Sequence, residues 1–144
     1  MTQFSRSALN NLTYKIIAAA IEVHRHLGPG LLESVYQRCM ERELAGRPLA
    51  FKAQQLLKVD YKGLRIDCGF RIDLCIEDLV IAELKSVQEL CPIHEAQLLT
   101  YLKLTGVPAG LLINFNVPVL RDGVRRILNK EHELVDHFDP TSTR

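Results

Sequence analysis

The sequence has no tryptophan, few other aromatic residues and almost no net charge. Of its 144 residues, 6% are aromatic, and the formal net charge at neutral pH is +1. A protein that coats nucleic acid regardless of sequence is usually more basic, so charge alone does not point to a nucleic-acid partner. Acidic metal ligands can offset basic phosphate contacts, so the balance does not exclude nucleic acid either.

Long apolar runs are also missing. No run approaches the ~18 apolar residues of a membrane span, and Met1 to Asn10 contain no apolar core of a secretory signal. We therefore expect a cytoplasmic protein with no membrane partner. Hydrophobic residues make up 47% of the chain. This predicts a single domain over residues 1–144, with its core at about 11–128 and a disordered tail at 139–144.

The four cysteines lack the spacing of a metal or redox site. They form no CxxC pair and lie within apolar segments, at Cys39, Cys68, Cys75 and Cys91. In a reducing compartment, such cysteines are small core residues. The alternative, a zinc or iron–sulfur site, has little support from this spacing.

Apolar spacing predicts two helices at the start of the chain, joined by a sharp corner. The first begins near Asn11 or Thr13 and ends before Gly28-Pro29-Gly30, where glycine freedom and the missing proline N–H break it. The second ends near Ala45-Gly46. Its apolar positions follow helical spacing at Leu32, Val35, Tyr36, Cys39, Met40 and Leu44.

Strands and one more helix are predicted for the rest of the chain. Alternating residues, dense apolar runs and a proline at a helix start indicate three strands, a helix, a strand and a short last strand. Their bounds are Gln54 to Tyr61, Phe70 to Ile76, Leu79 to Lys85, Pro92 to about Leu104, Ala109 to Phe115 and Val124 to Leu128. The strand–helix–strand segment should pair in parallel, with a right-handed crossover. The predicted fold class is α/β, a mixed sheet flanked by helices in the order ααβββαβ(β).

Two acidic residues and a lysine lie on neighbouring predicted strands. Glu83 and Lys85 are two residues apart, so they share one face of their strand. Asp73 lies opposite Glu83 on the same face only if the loop between the strands has an odd length. Residues 77–79, as a three-residue loop, meet this condition. The core then receives the alternate residues Phe70, Ile72, Leu74, Val80, Ala82 and Leu84.

Asp73 and Glu83, placed side by side, would repel each other and resist ionisation. A divalent cation removes this conflict, and hard oxygen ligands with water suit Mg²⁺ or Mn²⁺. Such an ion acidifies a bound water and polarises a phosphodiester, while a nearby lysine stabilises the charge that develops. The alternative is a solvated strand face with an acid–base ladder, because an ExK motif alone is weak.

Three motifs, taken in order, carry a resemblance to a known family. Arg71-Ile72-Asp73 followed by Glu83-Leu84-Lys85 resembles the core motif of the PD-(D/E)XK nuclease superfamily, with Ile72 at the position of the usual proline. The run from Gln97 to Tyr101 is similar to the QxxxY motif of its RecB-like branch. The run from Gly30 to Tyr36 resembles GxxExxY, which names a family of small bacterial proteins placed in this superfamily.

The resemblance implies a fold with a PD-(D/E)XK nuclease-like core. It also implies a metal-dependent nuclease that acts on nucleic acid, with DNA favoured over RNA as the substrate. Its Mg²⁺ or Mn²⁺ would be held by Asp73, Glu83, the backbone carbonyl of Leu84 and Glu33. Lys85 would serve as the catalytic base or orient the attacking water, and Gln97 would support Lys85. The predicted substrate contacts are Tyr101, His94 and Tyr36.

Alternatives remain open for several of these residues. Glu33 also suits the helix dipole at the start of its helix, and Tyr36 also suits the core. A stripe containing His94, Gln97 and Tyr101 also fits a solvent-facing helix side. The alternative function is a non-cleaving module that binds nucleic acid or protein through the same fold. The small size of the chain further implies a homodimer or a partner protein that supplies substrate surface.

Overall fold

The computed structural model describes residues 3–130 and 133–135. The predicted disordered tail, 139–144, lies outside the described residues. None of the described helices is long and apolar enough to cross a membrane. The elements are β1 (Gln3–Ser5), α1 (Arg6–Leu27), α2 (Glu33–Gly46), β2 (Phe51–Tyr61), β3 (Leu64–Ile76), β4 (Val80–Lys85), α3 (Pro92–Thr105), β5 (Ala109–Asn114), a 3-10 helix (Leu120–Gly123), β6 (Val124–Leu128) and β7 (Glu133–Val135).

A five-stranded mixed sheet forms the centre of the fold, in the order β2-β3-β4-β5-β6. Strands β4 and β5 are parallel and are joined through α3, while the other neighbours in this sheet are antiparallel. Strands β1 and β7 form a separate parallel pair. The predicted α/β class and the predicted parallel strand–helix–strand unit are therefore confirmed.

Each face of the sheet packs against different helices. On one face, Leu74 of β3 belongs to a hydrophobic cluster with Met40 of α2 and several residues of α1. On the other face, Ile81 of β4 packs with Leu98 of α3. Because side chains alternate along a strand, the odd-numbered residues that follow Ile81 on β4 lie on the α3 face.

The turn between β3 and β4 has the predicted length. Ile76 pairs with Val80 and Leu74 pairs with Ala82, which leaves residues 77–79 as the loop. The loop is closed by a bond from the backbone N–H of Leu79 to the carbonyl of Ile76, at 3.0 Å. The predicted register, on which the pairing of the two acidic strands depends, is confirmed.

The predicted start of the first helix is wrong, since α1 begins at Arg6 rather than near Asn11. Ser5 is its N-cap, and the Ser5 hydroxyl accepts the backbone N–H of Ala8 at 3.2 Å. Leu9 is already buried in the core. A serine cap and one buried leucine in the first turns therefore extend the helix beyond the predicted start.

Phe70 is not in the core as predicted, because its strand contains a bulge. Asp67 pairs with Lys58 of β2, and Arg71 pairs with Leu56. Three residues, 68–70, separate the two paired residues of β3, whereas Leu57 alone separates their partners on β2. Gly69 has a φ of +74°, and its N–H donates to Asp67 Oδ1 at 2.8 Å. The bulge interrupts the alternation and leaves Phe70 50% exposed. The other five residues of the predicted set are buried.

The four cysteines do not share one environment. All are free thiols; Cys75 is buried, Cys39 and Cys68 are half-buried, and Cys91 is exposed. The prediction of a core cysteine is right for Cys75 and wrong for Cys91, which is the N-cap residue of α3.

Candidate active site

The candidate site lies where β3 and β4 separate. The paired part of the two strands ends at Leu74 and Ala82, and Asp73 and Glu83 are the next residues on each strand. The N–H of Asp73 donates to Glu83 Oε1 at 3.1 Å, and the N–H of Leu84 donates to Asp73 Oδ2 at 2.8 Å. Each carboxylate is thus tied to the other strand, and both lie at the same gap in the sheet.

Glu83 is the strongly perturbed acid of this pair. Its side chain is 6% exposed. Burial, followed by the charge of Asp73, raises the pKa of Glu83 to about 8, while the Lys85 ammonium opposes the shift. A carboxylate that resists ionisation in this way is stabilised when a cation is placed beside it.

Two glutamines hold Asp73 in place. Gln54 Nε2 donates to Asp73 Oδ1 at 3.3 Å. Gln37 Nε2 donates to the backbone carbonyl of Asp73 at 2.9 Å and to Glu41 Oε2 at 3.0 Å. Sequence reasoning missed both glutamines. The signal for Gln37 was its position one helical turn after Glu33, directly beyond the GxxExxY run.

Glu33 reaches a cleft beside Asp73 from the first turn of α2. Its Oε1 accepts the backbone N–H of Ser86, just after β4, at 3.2 Å. Glu33 lines a cavity of about 450 Å³ together with Asp73, Leu84 and Gln37. The helix glutamate and the β3 aspartate, predicted to act together, therefore share one cleft.

Lys85 is half-buried at the end of β4, two residues after Glu83. Among the described residues it makes no ion pair within 4.0 Å. Its cross-strand neighbour in β5 is Asn114, which is 2% exposed. Asn114 Oδ1 accepts the N–H of Val87 at 3.1 Å, and its Nδ2 donates to the carbonyl of Val87 at 2.9 Å. Asn114, which sequence reasoning also missed, fixes the segment that follows the lysine.

Helix α3 brings Tyr101 close to the acidic pair. Burial, followed by the charges of Glu83 and Asp73, raises the pKa of Tyr101 to about 12. Its phenol therefore stays protonated at neutral pH and can donate a hydrogen bond. Gln97 is half-buried one turn earlier on the same helix side, and Leu98 is buried.

Tyr36 does not line the cleft, so its predicted substrate contact is wrong. Its side chain is fully buried, and its ring stacks on Phe115 with centroids 4.4 Å apart. The hydroxyl donates to the carbonyl of Gly28 at 2.6 Å and accepts the N–H of Leu31 at 3.2 Å. Both hydrogen bonds of the hydroxyl are made at the corner between α1 and α2. Tyr36 is therefore a core residue, as the alternative interpretation of the sequence had it.

His94 lies at the start of α3 and helps to cap it. The ring Nδ1 of His94 accepts the backbone N–H of Cys91 at 3.0 Å. The backbone N–H of His94 donates to the Cys91 carbonyl, also at 3.0 Å. The ring is half-buried. Because Nδ1 is used in the cap, a contact between His94 and substrate can involve only Nε2.

The donor set suits a hard cation that keeps much of its water. Among residues 3–130 and 133–135, no three His, Cys, Asp or Glu side chains converge closely enough to hold a metal by themselves. Asp73 and Glu83 supply two carboxylates, and Glu33 lines the cavity that Asp73 also borders. Mg²⁺ is commonly held by one or two carboxylates with water in the other positions, so the residues present fit such an ion.

One protein family matches most of the chain. The model of the PD-(D/E)XK nuclease superfamily matches residues 10–127. The matched region includes the four charged residues of the site, namely Glu33, Asp73, Glu83 and Lys85. Comparisons with curated proteins and with solved structures gave no significant match.

Proposed function

Because this chain belongs to the PD-(D/E)XK nuclease superfamily, we propose that it is a Mg²⁺- or Mn²⁺-dependent nuclease that hydrolyses phosphodiester bonds of nucleic acid, DNA rather than RNA. The observation that carries this proposal is the pairing of Asp73 and Glu83 at the gap between β3 and β4. Burial and the charge of Asp73 raise the pKa of Glu83, so the ionised form of Glu83 is unfavourable unless a cation joins the pair.

In this proposal Asp73 and Glu83 hold the divalent cation, with the Leu84 carbonyl and Glu33 as further ligands. When bound, the ion supplies an acidified water and a polarised phosphodiester. The shared cavity of Asp73, Leu84 and Glu33 supports this set. The hydrogen bonds from Gln54 and Gln37 support a fixed orientation of Asp73.

Lys85 is proposed to orient the attacking water or to act as its base. A lysine beside two carboxylates also stabilises the negative charge that builds up on the phosphate during attack. The effect of its ammonium on the pKa of Glu83 supports its closeness to the pair. Gln97 supports the lysine or the water, and the protonated phenol of Tyr101 donates to a phosphate oxygen.

We also assign the chain to the GxxExxY family and to the RecB-like branch of the superfamily. The contacts of the first motif support this assignment, because each named residue has a distinct physical task. Gly30 has a φ of +98°, Tyr36 closes the helix corner, and Glu33 reaches the cleft. We further propose a cytoplasmic, single-domain protein that gains substrate surface from a second copy or from a partner protein.

The test is a cleavage assay with purified protein. Labelled single-stranded and double-stranded DNA and RNA are incubated with Mn²⁺, with Mg²⁺ and with EDTA. We expect cleavage with either ion and none with EDTA. Glu83→Gln should abolish cleavage, whereas Glu89→Gln, a change at an exposed glutamate outside the site, should not.

A wild-type protein that neither binds Mn²⁺ nor cuts any substrate would favour the other candidate function, a non-cleaving module that binds nucleic acid or protein. The near-neutral charge of +1 is the observation that favours it.

A further inference from the structure

Phe70 is a large apolar side chain that lies half exposed next to the candidate site. It is 50% exposed, and its ring centroid is 6.4 Å from that of Tyr101, with the two planes inclined by 50°. Tyr101 is buried beside the Asp73–Glu83 pair. One exposed phenylalanine means little by itself; its meaning comes from the backbone that presents it and from its neighbours.

The backbone conformation around Phe70 turns this side chain towards solvent. Residues 68–70 form the bulge of β3, Gly69 takes a positive φ there, and Asp67 accepts its N–H. The opposing residue, Leu57, is buried in the hydrophobic cluster below α3, so the bulge is anchored in the core. Bulges frequently redirect a side chain beside an active site. Here one redirects Phe70 three residues before Asp73.

A cationic residue follows the exposed ring along β3. Arg71 follows Phe70 directly and is exposed. Among the described residues it makes no ion pair, so its guanidinium is available to a ligand. An exposed aromatic ring and an exposed cationic side chain on one strand offer partners for the two parts of a nucleotide, its base and its phosphate. Sites for single-stranded nucleic acid combine these same two elements.

We propose that Phe70 is a stacking platform for one unpaired base of a single-stranded nucleic acid whose backbone passes the Asp73–Glu83 gap. This inference rests on the proposed function and adds the class of substrate, a single strand or a frayed end. The bases of an intact duplex cover each other's faces, so a duplex must first be opened before a base can stack on a side chain.

The absence of tryptophan allows a direct test of this stacking. Because the chain contains none, Phe70→Trp introduces a single tryptophan at the platform. Its fluorescence is recorded in EDTA, which prevents metal-dependent cleavage, while a single-stranded oligothymidylate is added. We expect strong quenching, and little quenching with an abasic strand that has the same phosphates. Tyr14→Trp, at a 73%-exposed position on α1, is the matched control and should not respond.

Affinity measurements separate the contribution of the aromatic ring from that of apolar bulk at position 70. Phe70→Leu keeps an apolar side chain but removes the ring, so anisotropy of a labelled single strand should show about tenfold weaker binding. Phe70→Tyr should bind like the wild type. Circular dichroism verifies the fold of each variant. Equal affinity of the leucine variant and the wild type would overturn the inference. So would quenching of the Phe70→Trp variant by the abasic strand as strong as by oligothymidylate.

The outcomes distinguish this inference from the proposed function. If the wild type cuts DNA with Mn²⁺ while the fluorescence of Phe70→Trp stays unquenched, the stacking platform is wrong and the nuclease stands. If the single strand quenches the Phe70→Trp variant while the wild type cuts nothing, the platform stands and the nuclease is wrong. A parallel titration with an oligouridylate identifies which nucleic acid the platform prefers.

Discussion

Replacing Glu83 with glutamine should stabilise the metal-free protein at neutral pH. The pKa of this carboxyl is raised from an ordinary value of 4.5 to about 8 in the folded chain. A raised pKa means that the folded state holds the proton more tightly than the unfolded state. The resulting stability is fully present below about pH 4.5 and is lost as the pH rises towards 8.

The size of the effect follows from the shift. Each pH unit between these values removes about 1.4 kcal/mol from the free energy of unfolding, so the loss at pH 7 is about 3 kcal/mol. Glutamine has nearly the same shape, stays neutral, and its carbonyl can still accept the N–H of Asp73. We therefore expect Glu83→Gln to be about 3 kcal/mol more stable than the wild type at pH 7 and equally stable at pH 4.

Urea unfolding in EDTA, repeated across this pH range, measures the difference. Glu89→Gln is the matched control, because an exposed substitution outside the site should change the stability by less than about 0.5 kcal/mol. If Glu83→Gln is no more stable than the wild type at pH 7, or if both proteins have the same pH dependence, the description of Glu83 as a buried, ionisation-resistant acid is refuted.

Substitutions at three further positions test individual contacts. Lys85→Ala should retain Mn²⁺ binding in calorimetry and lose about 10²-fold or more of cleavage. Lys85→Arg should not restore it, because a guanidinium cannot act as a base; full activity in either variant would remove Lys85 from the mechanism. Tyr36→Phe should lower the free energy of unfolding by about 1–3 kcal/mol, since the bonds to Gly28 and Leu31 at the helix corner are lost; unchanged urea stability would contradict this. Gly69→Ala should cost about 1–2 kcal/mol because the bulge needs a positive φ, and a neutral effect would mean that the bulge can relax.

The pattern of the sequence was sufficient for the features that depend on local chemistry. The end of α1 at the Gly28 corner, the end of α2 at Gly46 and the start of α3 at Pro92 follow from glycine and proline. The parity argument for the loop 77–79 placed Asp73 and Glu83 on one sheet face because strand alternation has a fixed period of two.

The features that were missed depend on contacts between distant parts of the chain. Phe70 continues a clean alternation in the sequence, and the bulge that turns it outward shows only in the pairing of β3 with β2. The motif around Tyr36 suggested a cleft residue, whereas in the structure its hydroxyl donates to the Gly28 carbonyl at the corner between α1 and α2. The contact of Gln54 with Asp73 likewise exists only once β2 and β3 have paired.

Calorimetric titration with Mn²⁺ tests the central claim most directly, because it asks whether Asp73 and Glu83 form a cation site. The wild type and Glu89→Gln should bind the ion, and a thermal unfolding scan should show a higher midpoint as the ion is added. Glu83→Gln should show neither response, and its cleavage of labelled single-stranded DNA should be absent. Unchanged Mn²⁺ binding by Glu83→Gln, or metal-dependent cleavage by that variant at the wild-type rate, would contradict the assignment of this pair as the metal centre.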